Sequence, residues 1–230
     1  MIDRLYLYRF EFFLTSQIAI LFGSLIVPSN VFDILSPILF YLNIIAGSLF
    51  IGSHRKFRAW IIIIVLILIG FIFVYSAWDK TYIKIFNYLK ISILFLFHIV
   101  VTFQIIQQIW QAKLVNKNVI FGVISGFISL GLIGFFICLS IEFINPGSFS
   151  GLSVLNSTVN TLTERLMYFS YITLLTIGYG EILPVTLLAQ KATIFIGLMG
   201  QFYLVIIIAI IVGKFINQTT FKNKMDSTAE

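Results

Sequence analysis

The stretch Tyr168-Phe169-Ser170-Tyr171-Ile172-Thr173-Leu174-Leu175-Thr176-Ile177-Gly178-Tyr179-Gly180-Glu181 closes an apolar run with two glycines around a tyrosine. Glycine takes positive φ without steric cost. Alternating such a residue with one that bears a side chain lets successive carbonyls point the same way. Several copies around one axis would then stack their carbonyls as rings of oxygen. A plain turn between two helices would account for one glycine. It leaves Thr176, the short helix before the motif and the long apolar run after it unexplained.

The surroundings are those of a bilayer. The chain has 230 residues, 60% hydrophobic and 10% charged, with a mean hydropathy of +1.05. Soluble domains carry about 25% charged residues. The net charge of +6 sits in short clusters between apolar runs, the pattern of a topology signal and not of a nucleic-acid surface. Cys138 is the single cysteine, so no intrachain disulfide forms, and it reads as a small hydrophobe. Asn156 and Asn217 begin weak glycosylation matches. Asp3, Arg4, Arg9 and Glu11 break the order of a cleaved signal peptide, and no cleavage is expected.

A membrane helix needs about 20 apolar residues. Residues 12–27, 31–52, 59–78, 82–109, 119–144 and 185–215 read as six spans. Trp60 and Trp78 bracket the third as interfacial anchors. Gln104, Gln107, Gln108 and Gln111 share one helical face, so the fourth span emerges there into a surface linker, residues 110–118. Between the last two spans lies a polar loop, residues 145–160. Thr161-Leu162-Thr163-Glu164 then matches a capping box and predicts a helix from Leu162 to about Leu174. That helix is too short to cross. Irregular backbone at membrane depth is tolerated only where protein buries it or water reaches it, which a re-entrant loop satisfies. The expected fold is an all-α membrane protein with six transmembrane helices and a re-entrant helix and loop. Residues 1–118 form a four-helix peripheral domain, 119–218 a second domain and 219–230 a short tail.

Six spans put both termini on one side. That side collects Arg4, Arg9, Arg55, Lys56, Arg58, Lys113, Lys117, Lys214, Lys222 and Lys224, against Lys80, Lys84, Arg165 and Lys191 on the other. Both termini are therefore expected in the cytoplasm of a multi-pass plasma-membrane protein, with the glycine motif entering from outside.

The motif resembles the pore loop of the tetrameric potassium channels, whose usual filter reads Thr-Val-Gly-Tyr-Gly before an acidic residue. The likeness covers residues 119–218, in the order helix, pore helix, filter, helix. It implies a voltage-gated-like architecture, a homotetramer in the lipid bilayer, and passive K⁺ transport through one central selectivity filter. The permeant K⁺ would be held by the carbonyls of Thr176, Ile177, Gly178 and Tyr179 and by the Thr176 hydroxyl. The resemblance also implies a hinge at Gly200 and a glutamate, Glu142, that braces the filter's exit. Leu175 stands where the family has a threonine, and Tyr168-Phe169 where many members have two tryptophans. Both departures change the packing behind the filter.

Other features follow from the residues. The C-terminal end of the short helix carries about half a negative charge and favours a cation before it. Thr173 can hydrogen-bond behind the filter, while Ile177 and Tyr179 point away from the ion. Glu181 beside Gly180 would form an acidic ring at the outer mouth. Gly122 and Gly126, and Ser125 and Ser129, are spaced for close helix approach. Gly200 reads equally as a hinge or as a packing glycine. Ile208, Ile211, Val212 and Phe215 form either a hydrophobic gate or a lipid-facing stripe.

Lys84 and Lys90 fall short of the roughly 3–4 gating charges per subunit that voltage sensing needs. His98 is expected to hydrogen-bond a neighbouring helix, with a pH-sensing role as the alternative. With His54 and His98 the only histidines and no nucleophile–base spacing, the chain is not expected to be an enzyme or to hold an organic cofactor. A weakly selective cation channel and a non-conducting scaffold or sensor subunit are the rival readings. No regulatory partner is identifiable from the residues.

Overall fold

The computed structural model describes residues 8–50, 83–152 and 159–226. The elements run α1 (Arg9–Ile26), α2 (Ser29–Ser48), α3 (Ile83–Gln111), α4 (Lys117–Ile144), β1 (Phe149–Ser150), α5 (Val159–Leu174), β2 (Leu183–Pro184) and α6 (Leu187–Asp226). Among the described residues, stretches of α1, α3, α4 and α6 are long and apolar enough to cross a membrane. In α2 the apolar stretch is Ile34–Ser48, which is shorter. The expected third span, 59–78, lies outside the described residues, as do Arg55, Lys56, Arg58 and His54.

Helix ends follow local chemistry. Asn116 caps α4, its side-chain oxygen accepting from the Val119 amide at 3.1 Å, so the helix begins two residues before the expected span. Pro28 sits just before α2 with φ −53°, the value its ring imposes anyway. Two boundaries correct the sequence reading. Helix α5 begins at Val159, so Thr161 lies within its first turn and is not the cap. Helix α6 begins at Leu187, because Leu183–Pro184 are spent on strand β2, and it runs through the expected tail to Asp226.

Helix α4 is the hub, in contact with α1, α3, α5 and α6. Its small residues are spent on separate neighbours. A Cβ on Gly122 would stand 2.8 Å from the Phe10 ring of α1, and one on Gly126 would run into the Tyr203 hydroxyl of α6. Gly131 and Gly134 admit Tyr171 and Ser170 of α5 in the same way. The expected glycine pair therefore serves two different helices. Ser125 and Ser129 receive Gln17 of α1, whose Nε2 donates to the Ser125 carbonyl and, at 2.7 Å, to the Ser129 hydroxyl. Such bonds between membrane helices are worth about 0.6–2 kcal/mol each.

His98 is fully buried, with Nδ1 2.8 Å from the Leu94 carbonyl of its own helix. Its ring lies against Phe136 of α4, so the expected bond to another helix is replaced by a ring contact. The start of α1, the end of α3, the start of α4 and the far part of α6 lie together. Arg9 there donates to Gln108 at 3.1 Å, and Lys214 donates to the carbonyls of Ile109, Trp110 and Ala112.

The two kinds of glycine predict opposite outcomes. Gly131→Val drives a side chain into Tyr171 and should cost about 1–3 kcal/mol or more. Gly213→Ala meets nothing within 4 Å and should be neutral or stabilise by about 0.5–1 kcal/mol. Thermal unfolding in detergent, followed by tryptophan fluorescence, checks both.

Candidate functional site

Helix α5 is seated on α4 by two side chains one residue apart. Ser170 donates to the Gly131 carbonyl at 2.8 Å, and the Tyr171 hydroxyl donates to the Ile128 carbonyl at 2.7 Å. On its other side Gly200 of α6 lies so close to the Leu174 carbonyl that any Cβ would overlap it. The aim of α5 is thus fixed by polar contacts that neither the apolar pattern nor a motif announces. The signals were the glycines at 131 and 134 on one helix and the hydroxyl residues at 170 and 171 on the other.

The chain leaves α5 by folding its amides back onto it. Leu175 donates to the Tyr171 carbonyl at 2.9 Å and Thr176 to the Thr173 carbonyl at 3.0 Å. Ile177 and Gly178 both donate to the Ile172 carbonyl, at 2.8 and 3.3 Å. Four successive amides are therefore committed to the end of α5. Thr173 contributes through its carbonyl, which accepts from the Thr176 amide.

Beyond that point the backbone alternates. Thr176, Gly178 and Gly180 have φ of 58°, 56° and 90°, while Ile177 and Tyr179 do not take positive values. Alternating hands along a chain sends its amides to one edge and its carbonyls to the other. Among the described residues no hydrogen bond reaches the carbonyls of Thr176, Ile177, Gly178 or Tyr179. Residues 175–181 are all exposed in the isolated chain, Tyr179 to 73%. Positive φ at a β-branched threonine is an outlier that costs about 1–3 kcal/mol and persists only where its surroundings hold it. Here the amide bonds of 176–178 do so.

The exit from this loop is held by a small device. Glu142, in the last turn of α4, accepts from the Gly147 amide at 2.6 Å and the Phe149 amide at 3.1 Å. That fixes β1, which pairs antiparallel with β2, Phe149 opposite Pro184 and Ser150 opposite Leu183. Gly151 lies against the Glu181 carbonyl, where a Cβ has no room. Glu142 therefore reaches the glycine loop through a strand pair and not directly. Phe169 is buried edge-on against Phe149 at 5.2 Å between ring centres, tying α5 to the same pair.

Tyr168 hydrogen-bonds the Glu181 carboxylate, which holds that carboxyl below the usual range. The same bond, helped by burial and neighbouring charge, pushes the Tyr168 hydroxyl up to about 12. Glu181 is thus ionised at neutral pH and tied back to α5.

On α6, Gln201 is the residue that sequence reading missed. Its Nε2 lies 3.5 Å from the Thr176 hydroxyl, a long contact that marks which face of α6 looks toward the loop. At 100° per residue, Ile208, Val212 and Phe215 share that face. Ile211 lies on the flank of that face, partly buried against the core. Tyr203 lies on the buried side, donating to the Val123 carbonyl at 2.7 Å.

Residues 148–217, from β1 through the loop and along α6, match the model of a family described as ion channel. That segment supports an ion-channel pore. No curated protein and no solved structure matches the chain.

Removing the hydroxyl tests the tie to Glu181. Tyr168→Phe should raise the Glu181 pKa toward the ordinary carboxylate value, because the bond to the ionised form is what lowers it. A ¹³C-carboxyl NMR titration of labelled protein in detergent micelles reads the shift.

Proposed function

We propose that the chain is a potassium-selective channel subunit that conducts K⁺ passively as a homotetramer. The observation that carries this reading is the alternation of φ at Thr176, Gly178 and Gly180 with the neighbouring amides bound to α5. It leaves four successive carbonyls with no donor among the described residues, an arrangement suited to replacing the hydration shell of a cation. The ion-channel family match over the same residues supports it.

In this reading four copies meet around the exposed loop. The carbonyls of Thr176, Ile177, Gly178 and Tyr179 and the Thr176 hydroxyl line the filter. The ion binds by exchanging water oxygens for fixed carbonyl oxygens, and no covalent step is involved. The negative end of α5 favours the cation before it enters. Gln201 faces the inner end of the filter, and Ile208, Val212 and Phe215 line the passage beyond. Gly200, whose lack of a side chain admits the end of α5, is the point at which α6 could bend without losing a side-chain contact. Arg9 at the start of α1 and Lys214 of α6, gathered beside the end of α3, would face the cytoplasm.

A specific observation favours one rival. Leu175 is 46% exposed in the isolated chain and offers no hydroxyl beside the filter threonine. A less rigid filter would admit Na⁺ as well. Purified protein in liposomes distinguishes the readings through reversal potentials in mixed K⁺ and Na⁺. Strong K⁺ preference supports the proposal; equal permeability contradicts selectivity, and no flux at all supports a scaffold. Gly178→Asp should abolish flux, because a side chain at φ 56° is strained and adds a charge to the lining.

A further inference from the structure

Between Ile194 and Ile216 the side chains of α6 are apolar except at Gln201, Tyr203 and Lys214. Two of these are spent on neighbouring helices. Tyr203 donates to the Val123 carbonyl of α4, and Lys214 to carbonyls at and just past the end of α3. Gln201 differs. It is exposed in the isolated chain, and among the described residues its side chain has one partner, the Thr176 hydroxyl. A carboxamide in hydrocarbon forfeits its hydrogen bonds, so one in the middle of a membrane helix needs water or protein beside it. Two contacts set Gln201 at the inner end of the loop. Gly200, the residue before it, is pressed on the Leu174 carbonyl, where a Cβ has no room. Nε2 of Gln201 itself lies 3.5 Å from Thr176 Oγ1, at the outer limit of a hydrogen bond. The group beside the hydroxyl oxygen is therefore a donor.

A threonine hydroxyl has two lone pairs, and one shared with an N–H is one fewer for a cation. The N–H also sets partial positive charge next to the oxygen. We propose that Gln201 is a specificity-determining residue that acts on the ion through Thr176: its amide N–H competes with the cation for the hydroxyl oxygen and weakens binding at the inner end of the filter. This rests on the reading of residues 176–179 as a filter. An ion seated there has to take the oxygen from the amide as well as shed its own water. The energy of a charge beside a fixed dipole scales with the charge, so a divalent ion of K⁺ size, such as Ba²⁺, meets about twice the opposition. Gln201 thus works against divalent cations lodging where K⁺ passes. Gln201→Met keeps the length of the side chain and removes the donor. Gln201→Glu puts a charged acceptor in its place.

The full chain is reconstituted in planar bilayers, and block of its K⁺ current is titrated with Ba²⁺ on both sides. The proposal expects Gln201→Met to be half-blocked at about tenfold less Ba²⁺ than the unaltered protein, the scale of one hydrogen bond to a charged group. Gln201→Glu should be blocked at lower Ba²⁺ still. Gln201→Leu stands in for the first variant if that one fails to fold. A merely structural role predicts the reverse, because lost packing loosens the loop and weakens block together with K⁺ preference. Unchanged block in a conducting Gln201→Met overturns the proposal and leaves the conduction reading standing. Weaker block does the same, the result expected where the carboxamide oxygen and not the nitrogen faces the hydroxyl. Absence of K⁺ current in the unaltered protein contradicts the conduction reading, and the proposal falls with it.

Discussion

Everything in this molecule that bears on conduction depends on four amides. Those of residues 175–178 are bound into the carbonyl end of α5, and the carbonyls that follow have no donor among the described residues. The positive φ values at Thr176, Gly178 and Gly180 are the conformational consequence. Glycine meets that demand freely at two of the three positions. Threonine does not, and its strain persists because the amides on either side are held.

Those amides are only as well placed as α5 itself. Its position is over-determined from three directions: by Ser170 and Tyr171 bonded to carbonyls of α4, by Gly200 of α6 pressed against its last carbonyl, and by Phe169 packed on β1. Helix α4 carries most of this load, which explains its run of small residues. At the other end of the molecule, Lys214 supplies a cation to the C-terminal carbonyls of α3, where the helix dipole favours one. Gln218 accepts from the Val115 amide one turn further on. The C-terminal half of α6 is thereby joined to α3 and to the linker of only a few residues between α3 and α4.

Much of this was legible in the residues. The alternation was readable because glycine at positions 178 and 180 advertises its backbone demand. The short helix was readable from the polar loop before it and the glycines after it. Its start was misread because Thr161 and Glu164 fit a capping box in spacing, while the helix nucleates one turn earlier at Val159. What stayed hidden were contacts made by residues with ordinary local signatures. Tyr171 looks like one more aromatic, and Gln201 like an isolated polar residue on an apolar helix. Glu142 was placed correctly at the end of α4, yet its route to the loop through β1 and β2 depends on a two-residue strand pair that no periodicity reveals. The stripe on α6 needed Gln201 to orient it, with Ile211 on its flank, partly buried against the core.

The central claim is that the carbonyls of Thr176 to Tyr179 coordinate the permeant ion. Crystals of the purified protein grown with Rb⁺ or Tl⁺ in place of K⁺ test it through anomalous scattering. The account predicts peaks stacked on a four-fold axis between successive carbonyl layers of residues 176–179. Crystals with ordered loops and no anomalous peak beside those carbonyls would contradict it.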